Sequence, residues 1–138
     1  MGGMGIRFVD AMNVVGSRPD GWWQDRPAAV RRLADRLRTL AAAAAVDVEV
    51  VLVVDGTASE ALPEGRHGLL EVRYAGHGGR NAADDLIVAL VAAADDIELE
   101  VVTADRELAD RVRRLGATVT GPRQLWDELD RPGRHRSR

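Results

Sequence analysis

Cysteine is missing from the 138 residues, which excludes a disulfide framework, a thiol nucleophile and thiolate-held zinc or iron–sulfur centres. Lysine is missing too. All 19 basic residues are arginine, which removes Schiff-base chemistry and the phosphate-binding loop built on an ammonium group. No apolar run approaches the ~20 residues of a membrane span, and the start, MGGMGIRFVD, lacks the charged-then-apolar layout of a signal peptide. The expectation is a soluble cytoplasmic protein without a membrane partner, and the lack of cysteine suits a reducing compartment.

The chain contains 46% hydrophobic and 30% charged residues, the profile of an ordinary globular protein rather than a disordered one. Its length and lack of internal repeats predict a single domain over 1–130. The net charge of −3 is unevenly spread: residues 1–130 carry −7, while RPGRHRSR (131–138) carries +4 and reads as a basic, disordered tail able to help hold a polyanion.

Two Val-rich runs that end on aspartate, IRFVD (6–10) and VEVVLVVDG (48–56), read as buried strands. Continuous apolar runs suit strands covered on both faces, hence a parallel sheet with helices on either side. Between them Asp25 and Pro27 open a helix whose apolar residues Val30, Leu33, Ala34, Leu37, Leu40, Ala41 and Ala44 recur every three or four positions. A polar loop (57–68) precedes LLEVRY (69–74), which Glu71 and Arg73 mark as an edge strand. After the glycine-rich AGHGGRN (75–81) come a helix over 82–94, a strand ELEVVTAD (98–105), a helix over 106–115, a short strand ATVT (117–120) and a last helix from Pro122 to about Leu129. Strands and helices alternate at short spacing, which predicts a three-layer α/β/α sandwich with a mostly parallel central sheet.

In such a sheet, ligands bind beyond the carboxyl ends of the strands, near the point where strand order reverses. The acids fall there: Asp10, Asp55 and Asp105 follow three separate strands, and Asp84 and Asp85 open the helix after the glycine loop. If the first strand and ELEVVTAD are neighbours, these side chains converge and repel, and a hard divalent cation, Mg²⁺ or Mn²⁺, is the natural counter-charge. Two such ions can activate a water and stabilise a leaving oxygen in phosphodiester cleavage. Each acid also has a structural reading: Asp105 as a helix N-cap, Asp84 with Asn81 as a capping box, Asp55-Gly56 as a turn.

The ordered set DAMNVVGSRPDGWWQDR (10–26), VVDG (53–56), NAADDLIVALV (81–91), VVTADREL (101–108) and GATV (116–119) resembles the NYN domain of the PIN-like nuclease superfamily, and within it the YacP-like branch. The resemblance spans about residues 6–129. It implies a PIN-like sheet with the first strand central and an acid cluster that binds divalent metal to cut RNA, that is, a metal-dependent ribonuclease. Carried over by motif, Asp10 and Asn13 come from the first D-x-x-N, Asp55 from the acid after the second strand, Asp84 from the A-D at the helix start and Asp105 from T-x-D-R. Asp85 is an additional acid, grouped with the metal set although its role stays open.

Around this cluster, Asn13 can hold a phosphate or a water, Thr103 can orient a carboxylate, and Arg80 and Arg106 can bind phosphate oxygens; with Asn13 they form the expected substrate-binding group. Trp22 and Trp23 share a loop in which one indole is needed for packing and an exposed one can stack on a base. Asp55-Gly56-Thr57 is not a dehalogenase-type nucleophile loop, because Val53 stands where that nucleophile belongs and no lysine completes the site. The alternatives are a PIN-like module that binds RNA or protein without cutting, and a toxin-like nuclease held by an antitoxin. A homo-oligomer or protein partner stays open.

Overall fold

A computed structural model of the chain describes residues 5–43, 48–79, 81–94 and 98–131. Among them are six strands, β1 (Gly5–Asp10), β2 (Val48–Val54), β3 (Gly65–His67), β4 (Leu70–Tyr74), β5 (Glu98–Val102) and β6 (Thr118–Thr120). Five helices accompany them: α1 (Ala11–Gly16), α2 (Arg26–Ala43), α3 (Ala82–Ala93), α4 (Arg106–Arg113) and α5 (Pro122–Leu129). No described helix is long and apolar enough to cross a membrane.

The Val-rich runs behave as continuous apolar strands should. Alternate residues of β2 enter different cores: Val50, Leu52 and Val54 meet α1, α2 and α5, whereas Val51 and Val53 meet α3 and α4. The buried face of α2 is the stripe read from its spacing, with Val30, Leu33, Ala34, Leu37 and Ala41 at most 7% exposed. Asp25 opens that helix, its Oδ1 accepting the Ala28 amide at 3.1 Å.

The strand order is β3-β4-β2-β1-β5-β6, parallel except for β3 against β4. The chain therefore builds outward from β1 in one direction and then in the other, and the order reverses between β1 and β5. The three-layer, mostly parallel architecture expected from the sequence is present, with β1 central. Three local readings change. Tyr74 ends a strand that lies inside the sheet, because β3, within the stretch read as the loop 57–68, pairs outside β4. The charges of Glu71 and Arg73 mark a sheet face without helix cover, since α3 and α4 pack beyond it over β1, β2 and β6. β1 runs directly into α1, where only a turn was read. Arg80 and residues 132–138 of the tail lie outside the described residues.

One polar contact crosses the helical layer. Arg7 in β1 donates to Glu100 of β5 at 2.9 Å and to Glu128 of α5 at 3.0 Å through two nitrogens. Burial acts to lower the guanidinium's pKa, but the hydrogen bonds to Glu128 and Glu100 outweigh it and raise the pKa overall. Arg7→Met leaves two half-buried carboxylates facing each other. Breaking a fully buried pair costs ~3–5 kcal/mol, so about 2 kcal/mol is expected here. Arg66→Met, at the exposed Glu49 pair, should cost clearly less, because solvent screens that pair. Urea denaturation of both variants checks the ranking, which equal losses would contradict.

Candidate functional site

The carboxyl ends of β1, β2 and β5 open on one edge of the sheet, and four acids gather there from separate segments. Asp10 is the last residue of β1 and is only 7% exposed, one of the few buried polar side chains. Thr103, 2% exposed in the turn after β5, donates its hydroxyl to Asp10 Oδ2 at 3.1 Å and accepts the Asp105 amide on the same oxygen at 3.1 Å. Asn13 in α1 accepts the Ala104 amide at 2.7 Å. Two side chains thus stitch the segment 103–105 to the end of β1 and the start of α1. The sequence placed Thr103 as a carboxylate-orienting residue, which its hydroxyl does for Asp10. Asn13 spends its carbonyl oxygen on the backbone, leaving its amide nitrogen as the group able to reach a ligand.

Asp105 is the N-cap of α4, its Oδ1 accepting the Leu108 amide at 3.1 Å. Capping and site membership are compatible, since a carboxylate has a second oxygen. Asp55 follows β2 and is exposed. Its loop turns through Gly56 at φ 88°, and the Gly76 amide donates to the Gly56 carbonyl at 2.8 Å, fixing the glycine loop beside it. Asp84 lies half-buried in the first turn of α3; Asn81 is that helix's N-cap but makes no side-chain capping bond, so the capping-box reading is not realised.

The four carboxylates share one field. Burial chiefly pushes Asp10 up to about 6; the Thr103 hydrogen bond works against this, and the charges of Asp84 and Asp55 add to it. Asp84 is likewise pushed up to about 6, first by burial and then by Asp105 and Asp55, against a lowering by Arg111. Among the described residues no three acidic or histidine side chains lie close enough to hold a metal ion as they stand. Like charges repel, and without a counter-charge nothing draws these carboxylates together. The donor set itself, all carboxylate and mutually repelling, suits a hard divalent cation.

Asp85 is exposed and paired with Arg111 of α4 at 3.0 Å, and its charge adds to the raising of Asp84. Arg111 is the residue that sequence reasoning passed over. Its partner is 26 positions away, and no local spacing announces the contact. Arg106 is exposed on a shallow concavity of about 430 Å³ that also includes Thr103, Asp105 and Arg113. Of the indole pair, Trp22 packs against the core and Trp23 is 57% exposed, the division of labour read from the sequence.

The raised acids set a pH dependence. A folded-state pKa above the ordinary 3.8 means the native protein holds protons that the unfolded chain has released. That stabilisation is complete below about pH 4 and is lost as pH rises through about 6. For buried Asp10 it corresponds to about 3 kcal/mol, while screening makes the half-exposed Asp84 contribute less. In metal-free buffer Asp10→Asn should therefore be close to the parent in stability at pH 4 and more stable by about 2–3 kcal/mol at pH 7.5. Urea melts at both pH values test this; a difference that does not grow with pH would contradict it.

The family model described as a YacP-like NYN domain matches residues 8–137. Among solved structures the fold resembles two of Rae1 (YacP) from Bacillus subtilis. A tryptophan-to-leucine variant gives a TM-score of 0.74 at 22% identity, covering 94% of this chain and 76% of that one. The other gives 0.69 at 22% identity, covering 94% and 75%. No curated protein matches significantly. The family model covers nearly the whole chain and the fold agrees with it, so the chain belongs to the YacP-like NYN domain family and has its nuclease-type PIN-like fold.

Proposed function

We propose that the protein is a ribonuclease that hydrolyses RNA phosphodiester bonds with the help of a divalent cation, Mg²⁺ or Mn²⁺, in the cytoplasm. The observation that carries this reading is the convergence of Asp10, Asp55, Asp84 and Asp105 at the sheet's reversal point, where their charges add to the burial that pushes Asp10 and Asp84 up to about 6. Clustering carboxylates costs stability, and the cost has a use where a cation neutralises them.

In this reading Asp10, Asp55, Asp84 and Asp105 would hold the metal, with Asp85 beside them as an outer acid tied to Arg111. The cation would supply activation of a water and neutralisation of charge on the leaving oxygen. The chain's own residues do the positioning. Thr103 fixes the rotamer of Asp10 and, through the Asp105 amide, sets the start of α4. Asn13 holds the 103–105 turn against α1 and leaves its amide nitrogen for a phosphate oxygen. Arg106 and Arg80 are assigned to phosphate oxygens on the flanks, where a guanidinium can bind two at once.

Two measurements test the reading together. Cleavage of single-stranded RNA should require Mg²⁺ or Mn²⁺, stop in EDTA and fall about a hundredfold or more in Asp10→Asn. A cation that binds the folded cluster stabilises it by RT ln(1 + [L]/Kd), about 2.7 kcal/mol at a hundredfold excess, so the melting temperature should rise by roughly 5–10 °C at constant ionic strength. The rise should vanish in the double variant Asp10→Asn, Asp105→Asn. RNA binding without cleavage, and equal melts of parent and double variant with metal, would replace the nuclease by a binding module.

A further inference from the structure

A concavity of about 780 Å³ is lined by Asp55, but by none of the other three acids, together with the loop after β2 and the glycine loop. We propose that it receives one unpaired nucleobase of the RNA strand, next to the phosphate that the acids address; the proposal rests on the ribonuclease reading. Its volume falls within the ~300–1,000 Å³ of ordinary small-molecule sites. Its wall is apolar, from Met12, Val30, Val54, Leu62 and Tyr74. The Tyr74 hydroxyl donates to the Leu62 carbonyl at 2.7 Å, which fixes the ring in the wall and satisfies its polar end internally. Gly56 and Gly76 both lie on this groove at positive φ, and a Cβ on either would meet open space. The backbone itself thus shapes the mouth and leaves room for a flat ring.

Charge narrows the occupant further. Asp55 at the mouth, continuous with the acid cluster, repels an acyl chain ending in carboxylate or an acidic peptide, but not a neutral heterocycle. Arg26 stands exposed on the same groove, in no ion pair among the described residues, and its guanidinium lies 6.0 Å from the Trp22 ring. A ligand with a neutral aromatic ring and a phosphate on either side answers an apolar pocket between an arginine and a cation-binding acid set, and a nucleotide within a strand has that form. A paired base cannot leave its stack without an unpairing cost, so the groove selects single-stranded RNA.

Two arms test the proposal. In the first, adenosine and uridine, with ribose as control, are titrated without divalent metal and followed by NMR. The nucleosides should shift resonances of Met12, Leu62 and Tyr74, ribose should not, and Thr57→Trp, an exposed rim position, should abolish the shifts with a melting temperature near the parent's. His77→Trp on the same rim serves if that variant does not fold. In the second arm, one abasic nucleotide is walked along a single-stranded RNA decamer. Removing the base at one constant offset from the cut should lower kcat/KM about tenfold, in the range of a lost base-stacking contact, and Thr57→Trp should flatten the scan. Equal shifts with ribose, shifts elsewhere on the surface, or nucleoside binding with no sensitive abasic position would overturn the proposal, the last pointing to a site for free nucleosides. If no RNA is cut, the ribonuclease reading fails by itself, and the same scan read by fluorescence anisotropy still decides whether the groove holds a base.

Discussion

The constraint on which the site depends is the burial of Asp10. A carboxylate at the end of a central strand, 7% exposed and within the field of Asp84 and Asp55, opposes folding at neutral pH. The fold holds it by two means. β1 lies inside the sheet, paired with β5 on one side and with β2 on the other, where Asp10 itself is in register with Val53, which holds its last residue in place. The Thr103 hydroxyl then gives the carboxylate one firm hydrogen bond from the turn after β5. One flank of β1 and the Thr103 hydroxyl both come from the β5 side of the reversal point, which ties the geometry of the acids to the topology of the sheet.

The parts of the fold dictated by continuous patterns were legible in the sequence. Val-rich runs without alternation announced strands buried on both faces, and the three-and-four spacing of Val30 to Ala41 announced α2 and its inward stripe. Asp10, Asp55 and Asp105 could be read as converging because each follows a strand of a parallel sheet. Contacts between distant segments were not legible. β3 is three residues, Gly-Arg-His, with no apolar signal, and exists because β4 offers an unpaired edge. The edge reading of 69–74 failed because charged residues report an exposed face, and an inner strand can have one. Asn13, expected at a phosphate or a water, spends its carbonyl oxygen as a tertiary clamp on Ala104, just as Arg111 belongs to the site's electrostatics only through the packing of α4 against α3.

The loops at the carboxyl edge carry more than acids. The bond between the Gly56 and Gly76 loops sets Asp55 on one side and opens the 780 Å³ groove on the other, so a single backbone contact positions both a charged and an apolar subsite. The concavity containing Arg106 and Arg113 includes Asp105 at the other end of the acid row. In the proposed reading a strand of RNA crosses the edge from one depression to the other, with its phosphate over the aspartates between them.

The central claim, that four aspartates at the carboxyl edge of the sheet form one metal site, is tested most directly by a crystal structure of the protein soaked in Mn²⁺, with anomalous data collected at the manganese edge. The account predicts anomalous density bounded by Asp10 and by at least two of Asp55, Asp84 and Asp105, at metal–oxygen distances of about 2.0–2.2 Å, as small hard cations require. Density confined to Asp85 or to the exposed acids of the surface, or none at all at a manganese concentration that raises the melting temperature, would contradict it.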